Sequence, residues 1–461
     1  MERVIRLWTN LRMGEVCCRF FIKIYVSVSK LQINLMTDEK EDFMGVFNTI
    51  IGMGATVMMP IIFFVLGLVF RVKPGKAFKA GMTVGIGFTG INMVVTLLLE
   101  SLGPAAQDMV ARFGLDLTIV DAGWATGAAI GWASPLVPFI VVGAILLNVL
   151  LLLINKTKII NIDIFNYWLI SLVGTLVYHA TENMILGVAA ALILYLIAFI
   201  IGDLTAKPIQ NMYDIKGVAF VHATCGIYVP LGIAINWLVE RIPGLNKIDL
   251  NPEKITKTLG VLGEPVTLAT VLGAGLGLLA GWPIEEVLPL AVKVAAVMVL
   301  LPKMVDVTVE GVMVIRDAAE EFMKKLFPGR EFYFGMDTAL LIGEPCIIAT
   351  SLLLIPTALV LAMILPGNKM LPFTDLASIV FIISMVAPFC KRNMFRIYLT
   401  GIAILTISLY AGTDLGTNYT EAAKEANVSV NVEGQELGNL VSPYNTPVGW
   451  GLVKIGEMIG K

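Results

Sequence analysis

Gly263-Glu264-Pro265-Val266-Thr267-Leu268-Ala269-Thr270 heads an apolar run that continues to Gly281 without another charge. The pattern Gly-Glu-Pro-x-x-x-Ala-Thr returns at Gly343-Glu344-Pro345 with Ala349-Thr350, again at the head of an apolar run. Proline fixes its own φ, lacks an N–H and pushes the residue before it out of helical geometry, so each motif predicts a helix that starts at the proline. A charge at membrane depth costs roughly 2.5–3.5 kcal/mol even on the mildest insertion scale, so Glu264 and Glu344 are expected to face a partner, a polar cavity or a substrate. Helix starts inside protein also offer free N–H groups, and such broken-helix tips are where transporters build their sites. The bland alternative is a pair of interfacial helix starts whose acids are favoured by the macrodipole.

Val266–Gly281 holds only 16 residues. At about 1.5 Å per residue it reaches ~24 Å, short of the ~30 Å hydrocarbon core, so a re-entrant or half-crossing helix is expected. The second motif then has room to approach from the opposite face, as in inverted-repeat transporters.

The rest of the chain agrees with a membrane setting. Of 461 residues, 57% are hydrophobic and 15% charged, and the mean hydropathy is +0.84, more apolar surface than a soluble core can hide. The fold class is therefore an all-α polytopic membrane protein. About ten spans are expected, near 46–70, 80–101, 134–154, 166–181, 184–202, 266–281, 285–305, 338–365, 373–388 and 394–413. Two stretches, 119–133 and 214–240, are apolar but crowded with Gly, Pro, His or Trp, and read as re-entrant or irregular cavity walls. A net charge of -2 argues against nucleic acid, and five cysteines without ligand spacing predict no metal, cofactor or redox chemistry.

Residues 1–43 alternate Arg3, Arg6, Arg12, Arg19, Lys23 and Lys30 with short apolar stretches, a basic extension read as lying outside the fold that starts near Met44. Arg71, Lys73, Lys76 and Lys79 form the densest basic loop, which favours the cytoplasm and puts the start near Met44 outside. From Asp306 to Pro328 the pattern turns amphipathic, an interfacial helix or soluble connector. Residues 44–413 form the membrane domain; residues 414–461 read as a polar loop, with an Asn427-Val428-Ser429 sequon, and a tail from Pro447 too short to span.

Both histidines open the same tripeptide, His179-Ala180-Thr181 and His222-Ala223-Thr224. With Glu182 and Asn183 beside the first, they offer donors and acceptors suited to a neutral polyhydroxylated ligand; satisfied interhelical hydrogen bonds are the alternative. Asp121-Ala122-Gly123-Trp124 through Gly131-Trp132-Ala133-Ser134-Pro135 combines small residues with two indole faces, for stacking on a polyol or for an interfacial aromatic belt. Asn92, Asn148 and Asn236 are explained by helix-packing hydrogen bonds. No phosphate-cradling loop, hydrolase elbow or zinc-binding helix is present in the sequence, which disfavours an ATP-driven pump or a self-sufficient enzyme.

Gly85-Ile86-Gly87-Phe88, Ser101-Leu102-Gly103-Pro104-Ala105-Ala106, Val120-Asp121-Ala122-Gly123-Trp124, Asn161-Ile162-Asp163-Ile164, Gly263-Glu264-Pro265-Val266-Thr267, Pro366-Gly367-Asn368, Leu371-Pro372-Phe373 and Asp375-Leu376-Ala377 together resemble one family. This is the galactitol family of membrane IIC components of the bacterial phosphoenolpyruvate-dependent sugar phosphotransferase system (PTS), from about Met44 to Gly412. The resemblance implies a multi-pass permease of the bacterial inner membrane that carries a sugar alcohol inward while partner subunits phosphorylate it. A IIA histidine would pass phosphate to a IIB cysteine; this chain carries neither phosphoacceptor domain, so both are separate partners. The related ascorbate permeases imply a homodimer with an elevator mechanism. The N-terminal extension lies outside the resemblance, and the chain stops where family members can continue into another apolar helix.

Glu264 and His222 are the residues expected to bind substrate hydroxyls, with Glu344, His179 and Asp121 supporting them. The competing reading is an ion-coupled secondary transporter of a small polar solute that uses the same carboxylates as proton or sodium sites. A membrane scaffold, the third class, leaves the repeated intramembrane carboxylates unexplained.

Overall fold

The structure, a computed structural model, describes residues 55–114, 117–163, 166–259, 264–326, 329–372, 374–426 and 436–460. The basic extension 1–43, the start near Met44 and the sequon lie outside these residues. The chain divides into two compact units, Met1–Met58 and Met59–Lys461, and the fold below is that of the second.

In its first half, α1 (Ala55–Val69), α2 (Pro74–Phe113), β1 (Ile119–Asp121), α3 (Trp124–Ala133) and α4 (Val137–Leu153) lead to β2 (Ile159–Asn161), α5 (Tyr167–Thr181), α6 (Met184–Tyr213), β3 (Val218–Ala219) and α7 (Val229–Arg241). The second half runs α8 (Pro252–Leu259), α9 (Pro265–Ala280), α10 (Ile284–Leu326), β4 (Tyr333–Gly335), α11 (Pro345–Ile364) and β5 (Met370–Leu371). It closes with α12 (Ile379–Ile382), α13 (Met394–Asp414), α14 (Gly416–Glu425), β6 (Glu436–Gly438) and α15 (Pro447–Gly460). Among the described residues four helices are long and apolar enough to cross a membrane, within α2, α6, α11 and α13; α3 with α4, bent by 95° at Ser134-Pro135, makes a fifth if counted as one broken span.

Both motif prolines start helices as the sequence predicts, at Pro265 and Pro345, with Glu264 and Glu344 extended at ψ 142° and 123°. Other boundaries differ. The span expected at 285–305 and the connector at 306–328 are one helix, α10, because nothing after Pro302 interrupts its hydrogen bonding while its composition turns polar. The span expected at 373–388 is broken into 3-10 turns on either side of the single-turn α12, with Pro388 and the Ser384 hydroxyl, which donates to Phe381 O, competing for the backbone. Residues 414–447 hold α14 and β6 in place of a continuous polar loop, and Tyr419, Ala422 and Tyr444 are buried there.

α2 and α10 pack antiparallel: a side chain at Gly90 would meet Met304, at Gly87 Thr308, and at Gly311 the carbonyl of Ala80. α9 lies along α10 through Gly273 against Ala291 and Val294, and Gly277 against Val287. Small residues at these crossings let the backbones approach, which drives helix association where lipid competes for apolar contact. A Cβ at Gly87 would sit 2.6 Å from the Thr308 backbone nitrogen, so Gly87→Val should lower membrane yield and thermal stability by an overpacking cost of about 1–3 kcal/mol. Gly75→Val, in open space, should leave both unchanged in a detergent melting assay.

The larger core forms around α5, whose residues Tyr167–Val177 are all buried. Its 15 residues reach only about 22 Å. Gly131 sits against Trp168, Gly174 against Gly187 of α6, and Gly456 of α15 against Val177. Within this core lie two three-stranded parallel sheets, ordered β5-β1-β6 and β2-β4-β3. In each, the central strand comes from one half of the chain and both flanking strands from the other. Non-helical backbone inside a membrane protein needs this kind of mutual pairing, since no water is present to satisfy it.

Candidate functional site: a buried carboxylate pair with one bare oxygen

Parallel strands in register deliver equivalent positions side by side. Asn161 of β2 pairs with Gly335 of β4, and two residues further on each strand continues into an aspartate, Asp163 and Asp337. Asn166 bridges them: its Nδ2 donates to Asp163 Oδ2 at 2.8 Å and to Asp337 Oδ2 at 2.7 Å. Asp337 Oδ1 accepts from Ala339 N–H at 2.7 Å, capping the 3-10 turn Thr338–Leu340. Asp163 Oδ1 is buried and has no hydrogen-bond partner among the described residues. Burial pushes the Asp163 carboxyl well above its ordinary range and the Asp337 charge adds to this; burial raises Asp337 as well. Two carboxylates held this way resist carrying two charges at once.

The third strand of the same sheet brings His222. Met336 N–H donates to Ala219 O at 2.9 Å, and three residues beyond Ala219 the chain turns at His222. His222 Nδ1 accepts from Thr224 N–H at 3.2 Å and Cys225 N–H at 3.1 Å, which leaves the ring hydrogen on Nε2. Cys225 Sγ lies 3.6 Å from Thr338 Oγ1 and ties this turn to the Asp337 turn. Behind the pair, Asn161 Nδ2 donates to Tyr195 OH at 2.8 Å and Tyr195 OH to Tyr167 OH at 3.1 Å. Asn148 clamps the strand, donating to Ile159 O at 2.8 Å and accepting from Asn161 N–H at 3.0 Å. That anchors β2 to α4, a more specific job than the helix packing expected of it.

A second pair is built the same way at the other sheet, and it is closed. Asp121 Oδ1 accepts from Gly123 N–H at 3.1 Å and Leu440 N–H at 3.2 Å, and its Oδ2 from Asp375 N–H at 2.8 Å. Asp375 in turn accepts from Trp124 N–H at 2.9 Å and Val441 N–H at 3.3 Å. Backbone donors from three segments therefore occupy all four oxygens. Trp124 lies beside Trp168, ring centres 6.5 Å apart, against the larger core.

The remaining sequence candidates sit elsewhere. Glu344, seven residues beyond Asp337, is mostly buried and paired with Arg392. Arg392 and Lys391 both hold left-handed backbone, at φ 55° and 57°. His179, in the last turn of α5, has Nδ1 3.5 Å from Glu425, while Asn183 caps α6 by accepting from Ile185 and Leu186 N–H. Asn236 accepts from Arg396. Glu264 is exposed at the head of α9. The structure thus brings together Asp163, Asn166 and Asp337, three residues the sequence reading left out, and ties the His222 turn to the Asp337 turn through Cys225 and Thr338. The available signal was Asn161-Ile162-Asp163-Ile164, read only as a family motif. Carboxylate oxygens as acceptors and an imidazole N–H as donor suit the hydroxyls of a neutral ligand.

Comparison with known proteins identifies the family. Residues 49–434 match the EIIC-GAT family, described as the PTS system sugar-specific permease component. The chain is 35% identical over 416 residues to the PTS system galactitol-specific EIIC component of Escherichia coli strain K12, covering 90% of this chain and 91% of that protein. The counterpart in Escherichia coli O157:H7 matches to the same extent.

Proposed function

Because this chain belongs to the EIIC-GAT family of sugar-specific permease components of the phosphotransferase system, we propose that it binds and translocates galactitol or a closely similar polyol while a IIB partner phosphorylates it. The observation that carries the reading is the bare Asp163 Oδ1 in a buried polar cluster. It is an acceptor held ready beside Asp337, as a hydroxyl-rich ligand requires. In this reading Asp163, Asp337 and His222 contact hydroxyls, and the Glu344–Arg392 pair closes the segment that carries Asp337. Asp121 holds the loops at the other sheet, and His179 sits at a helix end as a supporting group.

The IIA and IIB subunits are the partners such permeases work with. A bacterial inner-membrane location, about ten spans, an inverted repeat, a homodimer and elevator motion complete the proposal. The exchanged central strands support the repeat, since each half contributes one central and two flanking strands. The glycine-tight group of α2, α9 and α10 beside the α5-centred core supports a frame and a moving body. Glu264, exposed at the tip of α9, would meet substrate passing that frame, so Glu264→Gln should sharply reduce phosphate-coupled uptake in vesicles while membrane yield stays normal.

The whole reading is tested in vesicles supplied with or without phosphoenolpyruvate, IIA and IIB. Polyol should accumulate, as its phosphate, only with all three. Accumulation without them that collapses with an ionophore would overturn the proposal in favour of ion coupling.

A further inference from the structure

We propose that the chain holds a second, uncharged polyol site beside the sheet β5-β1-β6, between the start of α5, α14 and residues 439–445. The inference rests on the polyol reading above and adds a further binding position for that ligand.

Buried polar side chains are hydrogen-bonded in nearly all cases, and native domains leave few exceptions. Here the exceptions gather. Trp168 Nε1 and Ser171 Oγ of α5, Tyr419 OH of α14, both side-chain amide atoms of Asn439, Ser442 Oγ and Asn445 Oδ1 are buried without a hydrogen-bond partner among the described residues. Trp168 is 4% exposed and the other five residues 0%. These residues belong to one neighbourhood. A Cβ at Gly127 of α3 would lie 3.4 Å from both the Trp168 ring and Tyr419 OH. Tyr419 lies beside Tyr444, ring centres 5.3 Å apart, and approaches the Asn439 amide without hydrogen-bonding geometry. Tyr444 OH is itself engaged, accepting from Asn439 N–H at 2.7 Å. Asn445 Nδ2 donates to Leu440 O at 3.1 Å, which leaves Oδ1 as its bare end. Ser171 follows Trp168 by one turn on α5, and α5 packs on both α14 and the turn Pro443–Asn445.

The chemistry suits a neutral ligand rich in hydroxyls. Indole and amide N–H groups donate, amide oxygens accept, and the Ser and Tyr hydroxyls do both. The carboxylates nearby are spent on the backbone: Asp121 accepts from Gly123, Asp375 and Leu440 N–H, and Asp375 from Trp124 and Val441 N–H. Trp124, partly exposed beside Trp168, supplies a flat apolar face for the C–H side of a polyol. Hydrogen bonds between neutral partners are weaker than those to a carboxylate, so this position should fill after the Asp163 pair.

The start of α5 separates the two positions. Asn166 and Tyr167 serve the Asp163 side, through Asp337 and Tyr195, while Trp168 and Ser171 serve this one. α2 begins at Pro74, next to the basic loop of Arg71 and Lys73 that charge asymmetry assigns to the cytoplasm, and its 40 residues cover about 60 Å. β1 is therefore reached from the opposite face, the side from which polyol arrives.

Equilibrium dialysis of radiolabelled galactitol against the full chain in lipid nanodiscs counts the sites. Wild type should bind two molecules per chain, and Ser171→Ala/Tyr419→Phe/Ser442→Ala should bind one. Those changes delete atoms that no donor or acceptor among the described residues uses, so the triple variant should melt at or above the wild-type temperature. Trp168→Phe alone, which removes one bare N–H, should weaken the second position at least threefold, while Asp163→Ala should weaken only the first. One galactitol per chain in wild type, with affinity unchanged in Trp168→Phe and in the triple variant, means that water fills the pocket; it overturns this site and leaves the polyol reading standing. Wild-type protein that binds no galactitol overturns both.

Discussion

Asp121→Ala is expected to remove most of the protein from the membrane. The Asp121 carboxylate is the acceptor for N–H groups of Gly123, Asp375 and Leu440, drawn from three separate segments. A buried donor left without its acceptor costs about 1–3 kcal/mol, so three orphaned donors approach 3–9 kcal/mol. Total stabilities are typically about 5–15 kcal/mol, and a loss of this size leaves little folded protein. Asp121→Asn keeps one acceptor oxygen and should fall between the two. Fluorescence-detected size-exclusion chromatography and thermal melting in detergent read both variants. Normal yield and melting of Asp121→Ala, with uptake abolished, would return Asp121 to the substrate-contacting role expected from the sequence.

Asp163→Ala should do the reverse. The substitution gives up one hydrogen bond from Asn166, relieves repulsion from Asp337 and removes an oxygen that no donor among the described residues uses, so stability should stay within about 1 kcal/mol of wild type. A hydrogen bond from a ligand hydroxyl to this oxygen contributes about 0.5–1.5 kcal/mol, so polyol affinity should fall about 2- to 10-fold. Isothermal titration of the detergent-solubilised protein with galactitol measures the change. Retained affinity in a well-folded Asp163→Ala protein would remove the pair from the binding site.

The contrast between these pairs explains what was legible in the sequence. Helix starts at Pro265 and Pro345 were readable because proline acts on its immediate neighbours, and the apolar runs behind α6, α11 and α13 were long enough to announce themselves. Family membership was readable because its motifs are spread along the chain. The strands were not: each has two or three residues and its partners lie more than a hundred positions away, so no local period marks it. The juxtaposition of Asp163 and Asp337 depends on that register and stayed hidden with it. Glu264 and Glu344 looked alike because their local sequences are alike; one is exposed at a helix tip and the other paired with Arg392, a difference set by distant chain.

The exchanged strands also bear on how the protein is made. While a ribosome is synthesising the first half, β1, β2 and β3 are all without the central or flanking neighbours they need. The β2-β4-β3 sheet becomes complete when Gly335 has emerged, and β5-β1-β6 only when Gly438 has. A nascent chain halted between Asp121 and Gly438 therefore holds unsatisfied strand backbone among its helices. The carboxylate clasp at Asp121, fastened in part by Leu440 and Val441, can close only once those residues have been translated.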